Sequence, residues 1–309
     1  MLDSQYIDRA QEFFLFQYDF VAYALGASIL VGVVCGLVGT FLVLRGFSLL
    51  GDATGHATLP GVAGAFLIMG YQHPAALLAG ALASGGIGAL TVGAFSRGPR
   101  VRPDAAIGIV LSVFFGVGIV MLAYIQRTGT GEQAGLEQFL WGNAAAITSG
   151  QLWVLAAIGL ALCLAVALFF RPLSMMTFDE NYARSVGINT AALEIGLLGA
   201  LSVAVVISIQ AVGVVLVAAM LIIPPCTGRY LARRLSTMAV WSMIAGAASG
   251  ALGAFVSYLF EGVATGPAMV LVATAFFGLA LLFGPQGGLV VESVRRRRRR
   301  RQLREGGAR

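Results

Sequence analysis

The 309-residue chain is 58% hydrophobic and only 11% charged, with a mean hydropathy of +0.87. Soluble domains carry about 25% charged residues, so the composition argues against a soluble globular enzyme and for an all-α, polytopic membrane protein. The formal charge of +6 is uneven: residues 285–309 carry +7, residues 1–284 carry −1, and lysine is absent throughout.

The N-terminal lead-in, residues 1–19, is acidic (Asp3, Asp8, Glu12). It lacks the basic n-region of a cleaved signal, so the first span is expected to be retained. Apolar segments predict spans from about Phe20 to Leu44, Phe47 to Gly70, Pro74 to Phe95, Ala105 to Ile125 and Leu152 to Phe170. A longer uncharged stretch runs from Ile195 to Cys226, followed by Met238 to Phe260 and Pro267 to Phe283. As one helix, Ile195–Cys226 would reach about 48 Å, well beyond the ~30 Å hydrocarbon core. It is expected to break near Gln210–Gly213, into two spans or a span and a re-entrant piece. The total is eight or nine spans over residues 20–284, with an Arg-rich tail at 285–309.

Arginines set the expected orientation. Arg97, Arg100 and Arg102 share one connection, Arg171 and Arg184 flank another, and Arg229, Arg233 and Arg234 mark a third. With the Arg295–Arg301 run, these are expected on the cytoplasmic side. Nine crossings then put Arg45 inside and the N-terminus outside. The segment from Arg127 to Gly150, with Glu132 and Glu137, is expected outside. Cys35, Cys163 and Cys226 lie far apart in apolar segments and read as small buried hydrophobes. A Walker A loop needs a lysine on the nucleotide phosphates. A chain without lysine cannot contain one, so any ATP site belongs to another chain.

The informative stretch is Leu49-Leu-Gly-Asp-Ala-Thr-Gly-His-Ala-Thr-Leu-Pro-Gly. Asp52 and His56 stand four apart and share one helix face. Charged groups within a membrane are costly and mark ion paths. A carboxylate oxygen and an imidazole nitrogen together suit Mn²⁺, Zn²⁺ or Fe²⁺ better than Ca²⁺ or Mg²⁺. Spacing alone leaves three readings open: a metal site, a proton relay, and a hydrogen-bonded pair that pins a helix. Glu194, the charge that opens the long apolar stretch, is a third candidate ligand or a helix-entry acid. Asp104, after Pro103, reads as a helix-start acid. His73, before Pro74, reads as a surface residue. Pro60 is expected to kink the helix beyond the pair.

The stretch Phe47-Ser-Leu-Leu-Gly-Asp-Ala-Thr-Gly-His-Ala-Thr-Leu-Pro-Gly-Val resembles the signature of zinc/manganese/iron ABC transporter permeases. Further resemblances follow in order over about residues 20–290. They are Asp104-Ala-Ala-Ile-Gly-Ile-Val-Leu-Ser-Val-Phe-Phe-Gly, Gly135-Leu-Glu-Gln-Phe-Leu-Trp-Gly-Asn, Phe178-Asp-Glu-Asn-Tyr-Ala-Arg-Ser-Val-Gly-Ile, Gln210-Ala-Val-Gly-Val-Val-Leu, Leu221-Ile-Ile-Pro and Thr265-Gly-Pro. One departure is Pro224-Pro-Cys-Thr-Gly, where the family often has Pro-Ala-Ala-Thr-Ala. A double proline there is expected to shift the helix end.

The resemblance implies a permease of the bacterial cytoplasmic (inner) membrane that catalyses no bond chemistry. It implies two cytoplasmic ATP-binding subunits, a second permease copy (identical or related) and an extracytoplasmic metal-binding protein, with no nucleic acid. It implies no permanent cofactor, the Mn, Zn or Fe ion being cargo. Asp52 and His56 would bind the ion. Phe178, Asp179, Glu180, Tyr182, Ala183, Arg184 and Gly187 would form the ATPase-coupling segment. An ion- or proton-coupled secondary carrier is the alternative function.

Overall fold

The computed structural model describes residues 12–13, 18–71, 73–96, 101–128, 144–260 and 262–293. Residues 129–143 of the expected outer segment, with Glu132 and Glu137, and the Arg295–Arg301 run lie outside the described residues, as do Arg97 and Arg100.

Described elements are helical. In chain order they are α1 (Asp19–Leu44), α2 (Leu50–Met69), α3 (Pro74–Ser96), α4 (Pro103–Thr128) and α5 (Ser149–Leu168). Then come α6 (Phe170–Phe178), α7 (Glu180–Ser185), α8 (Thr190–Val212), α9 (Val214–Leu231), α10 (Leu235–Leu259) and α11 (Thr265–Phe283). Eight are long and apolar enough to cross a membrane. The ninth long helix, α2, has 20 residues but is less apolar, because it carries Asp52, Thr54, His56 and Thr58.

The long uncharged stretch divides where expected. Gly213 takes φ 88° and ψ 160°, a conformation open to glycine, and separates α8 from α9. The two helices run in opposite senses. Glu194 of α8 shares a cavity with Arg45, while Gln210, near the other end of α8, lies by Pro74 and Gln151. On α9, Tyr230 accepts a hydrogen bond from the Gln286 amide at 3.1 Å, beyond the end of α11. The stretch therefore crosses the bundle twice, which gives nine long helices among the described residues.

Pro60 and the Pro224–Pro225 pair do not end their helices; α2 continues to Met69 and α9 to Leu231. Each proline removes one helical donor. Pro225 deprives the Leu221 carbonyl of its helical amide, and that carbonyl faces Gly39 of α1, where a Cβ would collide with it.

Small residues set the packing. Gly32 and Gly246 bring α1 and α10 into backbone contact, and Gly61 and Gly80 do the same for α2 and α3. Without a hydrophobic drive between helices in lipid, close backbone approach supplies dispersion contact. Several buried hydroxyls turn inward onto their own helix: Thr54 donates to the Leu50 carbonyl at 2.8 Å, and Thr40 to that of Gly36 at 2.7 Å. This satisfies them without a partner helix. The core runs through α1, α8 and α9, where Phe41, Leu201, Met220 and Leu221 are buried.

Candidate metal site and coupling surface

The second long helix is held on three sides. Ser84 of α3 donates to the Ala57 carbonyl at 2.6 Å. Gly118 of α4 lies against Leu59 and Pro60, and Gly55 lies against Val214 of α9 and Val205 of α8. Asp52 falls in the first turn of α2, where the N-terminal dipole favours a carboxylate. It is about 3 Å along the axis from the helix start, and His56 is about 9 Å along.

His56 Nε2 stands 3.4 Å from Asp52 Oδ1. That is long for a hydrogen bond, whose usual N···O distance is about 2.9 Å. Two donors each ~2.1 Å from one ion, at angles between octahedral and tetrahedral, stand about 3.0–3.4 Å apart. The pair is thus spaced as two ligands of one small ion. His56 Nδ1 is buried and has no hydrogen-bond partner among the described residues. The imidazole meets the Phe115 ring of α4 edge-on, with centroids 4.9 Å apart and planes at 76°. His56 is largely covered, while the Asp52 side chain keeps 35% of its surface open.

The structure does not bring Glu194 to this pair. Among the described residues no group of three or more His, Cys, Asp or Glu side chains is placed to hold a metal. Glu194 instead lines a cavity of about 660 Å³ with Arg45, Glu180 and Arg184, at the end of the bundle rich in arginine. Asp104 lies in the first turn of α4, as expected of a helix-start acid. His73 is exposed and its Nδ1 accepts from the Ala76 amide at 3.3 Å.

The segment from Phe178 to Gly187 forms a short helix with defined ends. Asp179 caps α7 by accepting from the Tyr182 amide at 2.9 Å, and Gly187 leaves it with φ 88°. Ala183 is fully buried against the body, while Phe178, Tyr182 and Val186 are 69%, 55% and 56% exposed. Three large apolar side chains thus project from one short helix and its flanks. Glu180 and Arg184 pair along its side.

Reading the residues alone missed three participants. Arg45 enters there only by its expected side of the membrane, and Phe115 and Ser84 are not singled out. Each acquires its role from contacts between helices, and none carries a local signal.

A bundle with nine long helices among its described residues, eight of them long and apolar enough to cross a membrane, defines a polytopic membrane protein. Residues 17–284 match the model of the ABC 3 transport family, and the chain belongs to that family. It is 42% identical over 280 residues to the manganese transport system membrane protein MntC of Bacillus subtilis, covering 90% of this chain and 64% of that protein's length. It is 37% identical to the zinc transport system membrane protein TroC of Treponema pallidum, covering 87% of this chain and 91% of that one. A solved structure, PsaBC from Streptococcus pneumoniae in complex with Fab, superposes with a TM-score of 0.78 at 32% identity, covering 93% of this chain and 98% of that chain.

Proposed function

We propose that this chain is the membrane permease of an ATP-driven importer for a divalent first-row transition ion, with Asp52 and His56 as its ion ligands. The observation that carries this is the 3.4 Å spacing of Asp52 Oδ1 and His56 Nε2 on a helix packed inside the bundle. Membership of the ABC 3 transport family supports it, as do relatives named for manganese and zinc transport.

Two donors do not complete a coordination shell of four to six. The open third of Asp52 cannot rest against hydrocarbon without a cost of a few kcal/mol. A second permease copy meeting this face would cover the carboxylate and add its own donors. Carboxylate and imidazole donors serve Mn²⁺, Zn²⁺ and Fe²⁺ alike, so selectivity follows from geometry and availability.

ATP hydrolysis resides on separate cytoplasmic subunits, because a chain without lysine cannot hold a Walker A phosphate loop. Those subunits dock on Phe178, Tyr182 and Val186, and an extracytoplasmic binding protein delivers the ion at the opposite end. The arginine-bearing end is cytoplasmic by the positive-inside rule. There each basic residue of the C-terminal tail gains about 1 kcal/mol beside anionic lipid.

The test is the energy source. The permease with its ATPase subunits and loaded binding protein, in liposomes, is expected to accumulate ion only with internal ATP at the ATPase face. Uptake by the isolated chain driven by a proton or ion gradient would overturn this reading in favour of a secondary carrier.

A further inference from the structure

Arg45 closes α1 and precedes the helix that bears Asp52 and His56. Only 11% of its side chain is exposed. Its guanidinium lies 3.3 Å from Met176 Sδ, 3.9 Å from Glu180 Oε2 and 5.7 Å from the centre of the Phe47 ring. The other Glu180 oxygen pairs with Arg184. Arg184 Nε in turn donates to Thr190 Oγ1 at 3.0 Å, at the first residue of α8. One carboxylate on the short helix α7 is therefore shared between two arginines, and one of those leads to the ion-bearing helix.

The connection from Arg45 to Asp52 is hydrogen-bonded at both of its ends. The Arg45 amide donates to the Phe41 carbonyl at 3.1 Å and the Phe47 amide to that of Leu42 at 2.9 Å. The Leu50 amide donates to Phe47 at 3.0 Å and the Ala53 amide to Leu49 at 3.2 Å. The turn from Arg45 to Leu49 is thus hydrogen-bonded to the helix on each side, and a displacement of Arg45 carries the first turn of α2, with Asp52, along with it. On α7, Glu180 and Tyr182 are two residues apart, about 200° around the axis. The helix offers Tyr182 outward, 55% exposed, and Glu180 toward Arg45.

We propose that Arg45 is a positioning residue: it passes a displacement of Glu180 on α7 to the first turn of α2, where Asp52 stands, and leaves the resting ion site as it is. This rests on the permease reading above and deepens it by naming the joint between coupling surface and ion site. In this structure Glu180 favours Arg184, and the Arg45 contact is long. A shift of about 1 Å in α7 closes that contact to the ~2.7–2.9 Å of a charge-assisted hydrogen bond. A guanidinium only 11% exposed follows its carboxylate, because leaving a largely covered charge unpaired is costly. A partner pressing on Tyr182 thereby moves Asp52 relative to His56, which stands a full turn farther along α2.

The experiment uses the assembled transporter in liposomes, with metal moved per ATP hydrolysed as the readout. Equilibrium Mn²⁺ binding to the same complex without nucleotide is measured alongside. Arg45→Gln is expected to lower metal moved per ATP by about tenfold, a usual size for a coupling contact, with binding unchanged. Arg45→Lys is expected to restore most of the ratio. The double variant Arg45→Gln with Glu180→Gln is expected to lose no more than either single variant. A wild-type ratio in Arg45→Gln, losses that add in the double variant, or a matching loss of Mn²⁺ binding would each overturn the proposal. Should Arg45→Gln fail to assemble, Glu180→Gln gives the same ratio from the other side of the joint, with the same expected loss, and a wild-type ratio there overturns it. Wild-type transport by Asp52→Ala would instead sink the underlying site assignment, whatever Arg45 does.

Discussion

His56 and Phe115 meet edge to face across the α2–α4 interface, with ring centroids 4.9 Å apart. The ring packs against the imidazole while Nε2 faces Asp52 Oδ1. Edge-to-face ring pairs contribute about 0.5–1.5 kcal/mol beyond their buried area. Phe115→Leu keeps the volume and removes the ring. It is expected to weaken ion binding by about 2–10-fold at unchanged expression, as measured by equilibrium Mn²⁺ binding to purified transporter. Unchanged affinity would mean that the ring only fills space.

The α1–α10 contact tests whether close backbone approach holds the bundle. A Cβ on Gly246 would strike the Gly32 carbonyl, whereas one on Gly278 meets nothing within 4 Å. Gly246→Ala is expected to cost about 1–3 kcal/mol through overpacking, seen as a lower thermal midpoint in detergent. Gly278→Ala, a helical glycine replaced without a clash, is expected to hold or raise the midpoint. Equal midpoints for the two variants would contradict the packing argument.

The coupling surface makes its own demand. Phe178 and Tyr182 keep 69% and 55% of their surface exposed among the described residues. Central aromatic contacts at interfaces commonly contribute 2 kcal/mol or more. Phe178→Ser is expected to weaken binding of the ATPase subunits by about 30-fold and leave Mn²⁺ binding intact. Full retention of the ATPase by Phe178→Ser on an affinity column would remove this surface from the interface.

Much of the fold is legible because hydropathy and helix length speak directly about membrane spans. The break at Gly213 follows from a stretch too long for one crossing and a glycine placed to interrupt it. Helix ends are less legible. The second long helix begins at Leu50 rather than Phe47, since the Phe47 amide closes a turn back to Leu42. The helix α5 begins at Ser149, fixed by the reciprocal Thr148–Gln151 capping pair. The double proline leaves α9 running to Leu231, with the freed Leu221 carbonyl against Gly39 of the neighbouring helix.

The candidate site divides in the same way. Asp52 and His56 could be paired from their spacing, because both sit on one helix. Glu194 could not be placed, because its position relative to them depends on how α8 packs against α1 and α2. It faces the cavity of Arg45 and Arg184 instead. The Arg45–Glu180 contact joins segments far apart in the chain, and only the fold brings them together.

The central claim is that Asp52 and His56 bind the ion in transit. Removing even an outer-shell partner of a metal commonly costs about 10–100-fold in affinity or activity, and removing a ligand should cost at least as much. The direct measurement is accumulation of Mn, Zn and Fe together, by elemental analysis, in cells lacking this gene. Cells are complemented with wild type, Asp52→Ala or His56→Ala at matched membrane expression. Wild type is expected to restore accumulation of one ion above the others, with each variant at least about tenfold lower. Accumulation by Asp52→Ala at the wild-type rate would contradict the assignment.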